Sequence, residues 1–442
     1  MANFAKPDGP RFSVDVYQNE YLPEGGSQVD AIVTVTATGG GTLGGAAVAP
    51  GRPSVAVAVM VDCSGSMDYP PAKMRGAREA TAAAIDTLRD GTRFAVIGGT
   101  HVAQEVYPGG GRLAVADATT REQAKQALRR LSAGGGTAIG TWLRLADRLL
   151  SAADVTLRHG ILLTDGRNEH ESPADLRATL DACAGRFTCD ARGVGTDWDV
   201  KEVTGIASAL LGTADIVADP AGLAADFTRM METAMGKEVA DVALRVWTPL
   251  GATLRFVKQV APAVEDLTHR RTEAGPRAGD YPTGSWGDES RDYHLSVTVP
   301  PAGLGQEMLA ARVSLVAPQP DGTVQNLGAQ GLVRAVWTDD MAASTAMSPQ
   351  VAHYTGQAEL AQAIQQGIDL RKAGDFDGAT AKLGRAVQLA NASGNADTAK
   401  LLAKVVDVVD AATGTVRLKT RVTEADEMTL ETRSTKTVRV KK

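Results

Sequence analysis

The sequence is poor in cysteine, histidine and aromatic residues. Its 442 residues include three cysteines, six histidines and 4% aromatic residues. Cys63, Cys183 and Cys189 are odd in number and too few for a disulfide framework, so they fit a reducing compartment. We interpret them as small buried side chains, although a disulfide between Cys183 and Cys189 stays open. The histidines are scattered and lack the spacing of zinc ligands.

Long apolar runs are also missing. No segment approaches the ~18 consecutive apolar residues of a membrane span, and the N-terminal segment lacks the apolar core of a signal peptide. We therefore expect a cytoplasmic protein. The net charge of −6 argues against nonspecific nucleic-acid binding. The sequence lacks nucleotide-binding glycine loops and a Gly-x-Ser-x-Gly nucleophile motif, and we predict no catalytic residues.

The most informative stretch is an apolar run that ends in polar residues. Val55 to Val61 is apolar throughout and rich in valine, which predicts a strand buried on both faces of a parallel sheet. Asp62, Ser64 and Ser66 follow at alternate positions. Ligands bind at the carboxyl ends of such strands in open α/β sheets. A carboxylate and two hydroxyls that converge there suit a hard cation.

Two further loops carry oxygen donors in similar settings. Thr137 follows the glycine run Gly134 to Gly136 and precedes an amphipathic segment that predicts a helix. Asp165 follows a second apolar run, Gly160 to Thr164, which also predicts a buried strand. We therefore expect all three loops to meet at one edge of the sheet.

The five oxygen donors resemble, in type and in order, the metal-ion-dependent adhesion site of von Willebrand factor type A domains: Asp62, Ser64, Ser66, Thr137 and Asp165. The resemblance covers roughly residues 54 to 236. It implies that the serines bind Mg²⁺ directly, with Mn²⁺ or Ca²⁺ as alternatives, while the threonine and aspartates act directly or through water. It also implies that a carboxylate of a partner protein docks on the metal, with Gly136 and Asp68 as candidate partner contacts.

The predicted fold is a doubly wound α/β sheet inserted in an all-β sandwich, plus a small C-terminal α-helical domain. Strand and helix patterns alternate through the central region. Period-two patterns flank it on both sides, and the few N-terminal strands need partners from beyond the insertion. We interpret Gly39 to Pro53 as a linker. The predicted domains are a β-sandwich (1–50 and 237–345), a von Willebrand A domain (51–236), a helical domain (346–413) and a basic tail or edge strand (414–442).

Two predictions in the second half of the chain involve aromatic residues. Residues 262–290 are interpreted as a long loop in which Trp286 is a candidate partner contact, with packing on the sandwich as the alternative. The pattern from Gln357 resembles a single tetratricopeptide repeat whose two helices pack around Phe376, followed by a third helix from Ala396 to Ala411. Because one repeat is no solenoid, we favour a helical hairpin over a peptide-binding groove.

The C-terminal segment is basic and rich in hydroxyl groups. Thr432, Thr435 and Thr437 lie in a context that resembles kinase substrates, so they are candidate phosphorylation sites. A phosphothreonine there would suit a forkhead-associated domain. The alternatives are an edge strand that completes the sandwich and a solvated tail.

These features together predict a metal-dependent interaction or scaffold protein and not an enzyme. The composition is similar to that of actinobacterial proteins, and a role in stress response or signalling follows from that analogy alone. One alternative is a Mg²⁺-dependent phosphohydrolase, since a metal with two aspartates can orient a phosphate. A second alternative is an extracellular adhesin, which would need a nonstandard export route.

Overall fold

The structure is a computed structural model that describes residues 10–38, 54–319 and 323–440. The interpretation of Gly39 to Pro53 as a linker concerns residues outside this set.

The chain divides into two compact units. One of them is discontinuous in sequence, because the first strands of the chain belong with residues from its second half. The described residues 54–240, together with Gly284–Gly287, form what we call the inserted domain. The sandwich unit consists of the described parts of residues 11–39, 241–283 and 288–442. It begins with strands β1 (Arg11–Gln18), β2 (Tyr21–Leu22) and β3 (Gln28–Thr38).

The inserted domain alternates strands and helices. Its elements are β4 (Val55–Asp62), α1 (Ala72–Thr87), β5 (Arg93–Gly99), β6 (Ala103–Tyr107), β7 (Ala114–Val115), α2 (Ala118–Leu128), α3 (Ile139–Ser151), β8 (Leu157–Thr164), α4 (Pro173–Cys183), β9 (Thr188–Val194), α5 (Val200–Ala209), β10 (Ala214–Val217) and α6 (Leu223–Met235).

Strand β4 lies at the centre of a seven-stranded sheet of order β10-β9-β8-β4-β5-β6, with β7 also paired to β5. It is parallel to both neighbours, and Val59 pairs with Val96 on one side and Ile161 on the other. Its valines share a buried cluster with residues of α1 and α6. Helix α3 also contacts β4 and β8, but its residues are not part of this cluster. Because alternate side chains of a strand point to opposite faces of the sheet, α3 covers the face opposite to α1 and α6. The predicted doubly wound sheet is confirmed.

The sandwich unit continues with mainly antiparallel strands in two sheets. Their orders are β1-β3-β16-β12-β13 and β14-β15-β11-β17-β18-β2. Strand β3 pairs along its length with β16, so the N-terminal strands are completed from beyond the insertion and the predicted sandwich is confirmed. The later strands are β11 (Val239–Trp247), β12 (Thr253–Ala261), β13 (Glu265–Asp266), β14 (Thr272–Glu273), β15 (Ala278–Trp286), β16 (Glu289–Thr298), β17 (Glu307–Pro318) and β18 (Val324–Trp337).

The long loop predicted for residues 262–290 is wrong, because this stretch contains β13, β14 and β15. Trp286 ends β15 with none of its surface exposed, so its prediction as a partner contact is also wrong and packing is its role. The backbone there is also engaged, since Trp286 O accepts a hydrogen bond from Glu238 N at 2.7 Å. Gly279, Pro282 and Gly284 interrupt the apolar alternation of β15, which explains why the strand was missed.

The C-terminal part of the sandwich unit is mainly helical. Helices α8 (Pro349–Lys372) and α9 (Phe376–Ala392) pack closely, and a Cβ atom on Gly367 would lie 2.7 Å from Leu383 Cγ. Phe376 is the first residue of α9 and is 62% exposed, so packing of the two helices around it was a wrong prediction. The elements are α7 (Met341–Thr345), α8 (Pro349–Lys372), α9 (Phe376–Ala392), α10 (Ala396–Val405), β19 (Val406–Asp410), β20 (Thr415–Leu418) and α11 (Glu424–Arg433).

The third predicted helix ends earlier than expected. It stops at Val405, because the valine-rich residues of β19 pair with β20 as a two-stranded hairpin. The prediction that the helix reaches Ala411 is therefore wrong.

The basic C-terminal segment is docked on the sandwich. Thr432 lies within α11, is 4% exposed and donates its hydroxyl to Met428 O at 2.7 Å. Thr435 O accepts from Val264 N, while Thr437 N donates to Pro262 O. The segment therefore runs beside the end of β12, and the alternative of a solvated tail is wrong.

Candidate metal centre

Three loops meet at the carboxyl edge of the central sheet in the inserted domain. Asp62 is the last residue of β4, Asp165 follows β8, and Thr137 precedes α3. The loop after β4 makes a 3-10 turn at Gly65–Asp68. Backbone hydrogen bonds join it to the glycine run, from Gly65 N to Gly135 O at 2.9 Å and from Gly134 N to Cys63 O at 2.8 Å. The five predicted oxygen donors are thus held at one place.

Asp62 fixes the two strand ends relative to each other. It is fully buried. One carboxylate oxygen accepts from Ser64 N at 2.8 Å, and the other accepts from Thr164 Oγ1 at 2.7 Å. Burial raises the pKa of Asp62 to about 6; the charge of Asp165 adds to the rise and hydrogen bonds from Ser64 and Thr164 oppose it. Because both oxygens have protein partners, Asp62 organises the loops.

Asp165 connects the third loop to the first. It is fully buried, and its Oδ1 accepts from Ser66 Oγ at 2.6 Å. Ser66 Oγ lies 2.9 Å from Ser64 Oγ, so both serine hydroxyls and one aspartate oxygen form a continuous row of oxygen atoms. The other carboxylate oxygen of Asp165, Oδ2, lies 2.7 Å from Lys73 Nζ.

Three hydroxyls surround one point beside Gly166. A Cβ atom built on this glycine would lie 3.0 Å from Ser66 Oγ, 3.5 Å from Thr137 Oγ1 and 3.8 Å from Ser64 Oγ. The absence of a side chain therefore leaves a small cradle lined by neutral oxygen atoms. Mg²⁺ prefers oxygen ligands and keeps several waters, so this donor set fits such an ion.

The start of α3 is held by residues that follow Asp165. Ile139 N donates to Asn168 Oδ1 at 2.8 Å and Gly140 N donates to Glu171 Oε1 at 2.6 Å, which satisfies two otherwise unpaired amides of the helix N-terminus. Thr137 O accepts from His170 N at 2.9 Å. These bonds fix the backbone that carries the threonine hydroxyl.

The candidate partner contacts differ in their surroundings. Asp68 is exposed at the end of the 3-10 turn, next to Tyr69, which is 82% exposed. Gly136 lies in the glycine run, where an added Cβ atom would fall 2.1 Å from a ring atom of His170. Gly136 therefore permits the close approach of this ring, and both residues lie in loops that also carry the metal donors.

Lys73 is a component of the centre that the sequence reasoning missed. It is in the first turn of α1, and its ammonium group lies between Asp165 and Asp197. Burial lowers the pKa of Lys73, but its hydrogen bonds to the two aspartates outweigh this and raise the pKa overall. A lysine that begins a helix directly after a metal-binding loop was the signal available in the sequence.

Within the described residues, no group of three or more His, Cys, Asp or Glu side chains has the geometry to hold a metal. The candidate centre depends instead on hydroxyl oxygens supported by two carboxylates. A doubly wound sheet that gathers hydroxyl and carboxylate oxygens at its carboxyl edge has the arrangement of a von Willebrand factor type A domain.

Comparison with known proteins agrees with this class. The model of the von Willebrand factor type A domain matches residues 55–216, and that of the von Willebrand factor type A C-terminal domain matches residues 388–434. The chain is 51% identical to a solved von Willebrand factor type A protein from the bacterium Catenulispora acidiphila, with a TM-score of 0.91, covering 100% of this chain and 99% of that one. The chain belongs to the von Willebrand factor type A family.

A second solved structure shares the fold at low sequence identity. The ArnB paralog VWA2 from Sulfolobus acidocaldarius is 14% identical, with a TM-score of 0.58, and the match covers 96% of this chain and 98% of that chain. No curated protein matches the chain significantly.

Proposed function

We propose that the protein is a metal-dependent protein-interaction or scaffold protein that docks a carboxylate of its partner on a bound divalent cation. The observation that carries the proposal is the cradle beside Gly166, where the hydroxyls of Ser64, Ser66 and Thr137 converge. Bound Mg²⁺ would supply a Lewis-acidic position that an external carboxylate can join. Neutral hydroxyl ligands leave the ion electron-poor and so favour an additional anionic ligand.

The contribution of the chain is to hold these groups in place. Asp62 accepts hydrogen bonds from Ser64 N and Thr164 Oγ1, which fixes the ends of the two strands that carry the donor loops. Burial of Ser64 and Thr137, at 2% and 5% exposure, limits their rotation and so the entropy lost on binding. Asp68, exposed beside the centre, is proposed as a contact for the partner.

Metal titration tests the first half of the proposal. Calorimetry with Mg²⁺, Mn²⁺ and Ca²⁺ should give a binding heat in the wild type that disappears in Ser64→Ala/Ser66→Ala. Ser132→Ala, which changes an exposed serine near the glycine run, is the matched control and should bind as the wild type does. Equal binding by the double variant would contradict the assignment of the site.

Partner capture tests the second half. Proteins that bind the wild type with Mg²⁺ should be lost when EDTA is added, and the Asp62→Ala and Ser64→Ala/Ser66→Ala variants should not retain them. Capture that persists with EDTA and in both variants would show that the metal centre is not the docking site.

The alternative hypothesis, a Mg²⁺-dependent phosphohydrolase, makes a different prediction. Purified protein would then turn over a generic phosphoester with Mg²⁺, and Asp165→Ala would abolish the turnover. Turnover with this dependence would replace the binding proposal, whereas the binding proposal expects none.

Location and pathway belong to the proposal as well. We propose a cytoplasmic protein that acts in stress response or signalling, with the extracellular adhesin as the alternative; fractionation of the native host distinguishes them. Of the helices in the described part of the chain, none is both long and apolar enough to cross a bilayer.

Phosphorylation of the C-terminal segment is a separate proposal. The hydroxyls of Thr432 and Thr437 donate to Met428 O and Val260 O, so a kinase could reach them only after the segment leaves the sandwich. A forkhead-associated reader would therefore select a released segment. Phosphopeptide analysis of protein from the native host, with amide exchange of residues 434–440, tests this; unmodified threonines in a slowly exchanging segment would contradict it.

A further inference from the structure

Lys73 occupies an unusual place beside the metal centre. Its side chain is 8% exposed, and its ammonium nitrogen lies 2.7 Å from Asp165 Oδ2, 2.9 Å from Asp197 Oδ2 and 3.4 Å from Ser66 O. The stem of the side chain passes Gly195, where an added Cβ atom would be 3.7 Å from Lys73 Cε. One cation therefore contacts two of the loops that form the centre and a third loop beside it.

Several physical effects oppose a lysine at this position. A buried ammonium group loses its hydration. The position is in the first turn of α1, where the partial positive charge of the helix N-terminus repels a cation. The contacts with Asp165 and Asp197 compensate for these costs. A side chain needed only for packing would not require a charge here.

The two carboxylate partners of Lys73 differ. Asp165 is fully buried and belongs to the metal donors, whereas the side chain of Asp197 is 66% exposed. Both oxygens of Asp165 are engaged, since Oδ1 accepts from Ser66 Oγ and Oδ2 contacts the ammonium. Lys73 thus balances the charge of one of the two aspartates of the centre, and Asp197 shares that positive charge from outside.

We propose that Lys73 is a built-in counter-ion that holds the affinity of the centre for divalent metal low, and that Asp197 moderates this effect by drawing the ammonium away from Asp165. The inference rests on the proposed metal site and adds its regulation. The ammonium group and the incoming metal ion are both positive and repel each other. The affinity for the metal therefore depends on how the ammonium is shared between Asp165 and Asp197. A carboxylate of the partner then supplies the negative charge that Lys73 neutralises on Asp165.

Two variants test the inference in opposite directions. Lys73→Met keeps most of the length of the side chain and removes the charge, and calorimetric titration with Mg²⁺ should show at least tenfold tighter binding. Asp197→Asn leaves the ammonium to Asp165 alone, and Mg²⁺ should bind several-fold more weakly. A purely structural role of this ion-pair cluster would lower the melting temperature of both variants without moving the metal affinity in opposite directions.

Lys125→Met is the matched control. Lys125 also lies near two carboxylates, those of Asp86 and Glu122, but on α2. Removal of the Lys125 charge should leave the Mg²⁺ affinity unchanged, because Asp165 keeps its contact with Lys73. A similar gain of affinity in this control would show a general charge effect and would overturn the inference.

The outcomes separate this inference from the proposed function. Wild-type protein that binds Mg²⁺ while Lys73→Met binds equally or more weakly overturns the inference alone. Mg²⁺ binding by Lys73→Met but not by the wild type supports it, and no binding by either overturns both. If Lys73→Met fails to fold, Asp197→Asn decides: weaker binding supports the inference, and unchanged or tighter binding overturns it.

Discussion

Gly166→Ala should remove metal binding without changing any ligand. The added methyl group would lie 3.0 Å from Ser66 Oγ and 3.5 Å from Thr137 Oγ1, between the hydroxyls that form the cradle. A Mg²⁺ ion needs its oxygen ligands at about 2.1 Å, so it cannot share this space with a methyl group. We expect Mg²⁺ to bind at least ~100-fold more weakly, which corresponds to about 2.7 kcal/mol.

The cost to the fold should be small. Gly166 has no positive φ, so alanine fits the backbone, and the closest contact is with a serine hydroxyl that can move by a few tenths of an ångström. Overpacking of this size costs about 1 kcal/mol. Thermal unfolding without metal should therefore be close to that of the wild type, and the difference should appear only in the presence of Mg²⁺.

Gly65→Ala provides the matched control. Gly65 lies in the loop after β4, which also carries metal donors, has no positive φ, and its added Cβ atom would be 3.5 Å from Gly135 O, an ordinary contact. Calorimetry should show Mg²⁺ binding like that of the wild type. Unchanged binding in Gly166→Ala would refute the cradle as the metal position. Lost binding in both variants would indicate a general distortion of the loops that carry the metal donors.

Three other predictions concern stability. Gly367→Ala should destabilise the protein by about 2 kcal/mol through overlap with Leu383, while Gly356→Ala in the same helix, with no neighbour within 4 Å, should stabilise it by up to about 1 kcal/mol in urea unfolding. Glu202→Gln should stabilise at pH 8 but not at pH 4, because burial and nearby acids raise the pKa of Glu202 from 4.5 to about 7. The wild type therefore loses stability as the pH rises from 4.5 to about 7, by about 1 kcal/mol after discounting for partial exposure. Equal pH profiles would contradict this. Arg439→Ala should speed amide exchange of residues 434–440, because its bonds to Asp292 are lost; unchanged exchange would contradict it.

The convergence of the candidate metal donors could be predicted because its signals are local. Asp62 ends one apolar strand and Asp165 follows another, and strands buried on both faces lie in the interior of a doubly wound sheet. The position of each donor relative to its strand end therefore fixes it in space. Nothing similar indicates that Lys73 reaches Asp165, because that contact depends on how α1 packs on the sheet.

The errors share a physical cause. Trp286 was assigned to a loop because glycine and proline interrupt the pattern of β15, but pairing with neighbouring strands outweighs local propensity. Thr432 was placed beyond the last helix, yet Thr423 caps α11 by accepting from Asp426 N. Tertiary contacts and a single cap decided both cases, and neither has a periodic signature.

We propose that the centre binds a partner and does not catalyse a reaction, for a structural reason. Asp62 has its two oxygens committed to Ser64 N and Thr164 Oγ1, and Asp165 has its two oxygens committed to Ser66 Oγ and Lys73 Nζ. Both carboxylates are also fully buried, and a general base must come within hydrogen-bond reach of the proton that it removes from a substrate. The bond from Ser66 Oγ to Asp165 and the contact between the two serine hydroxyls hold both serines beside Gly166, which is what a preorganised docking point requires.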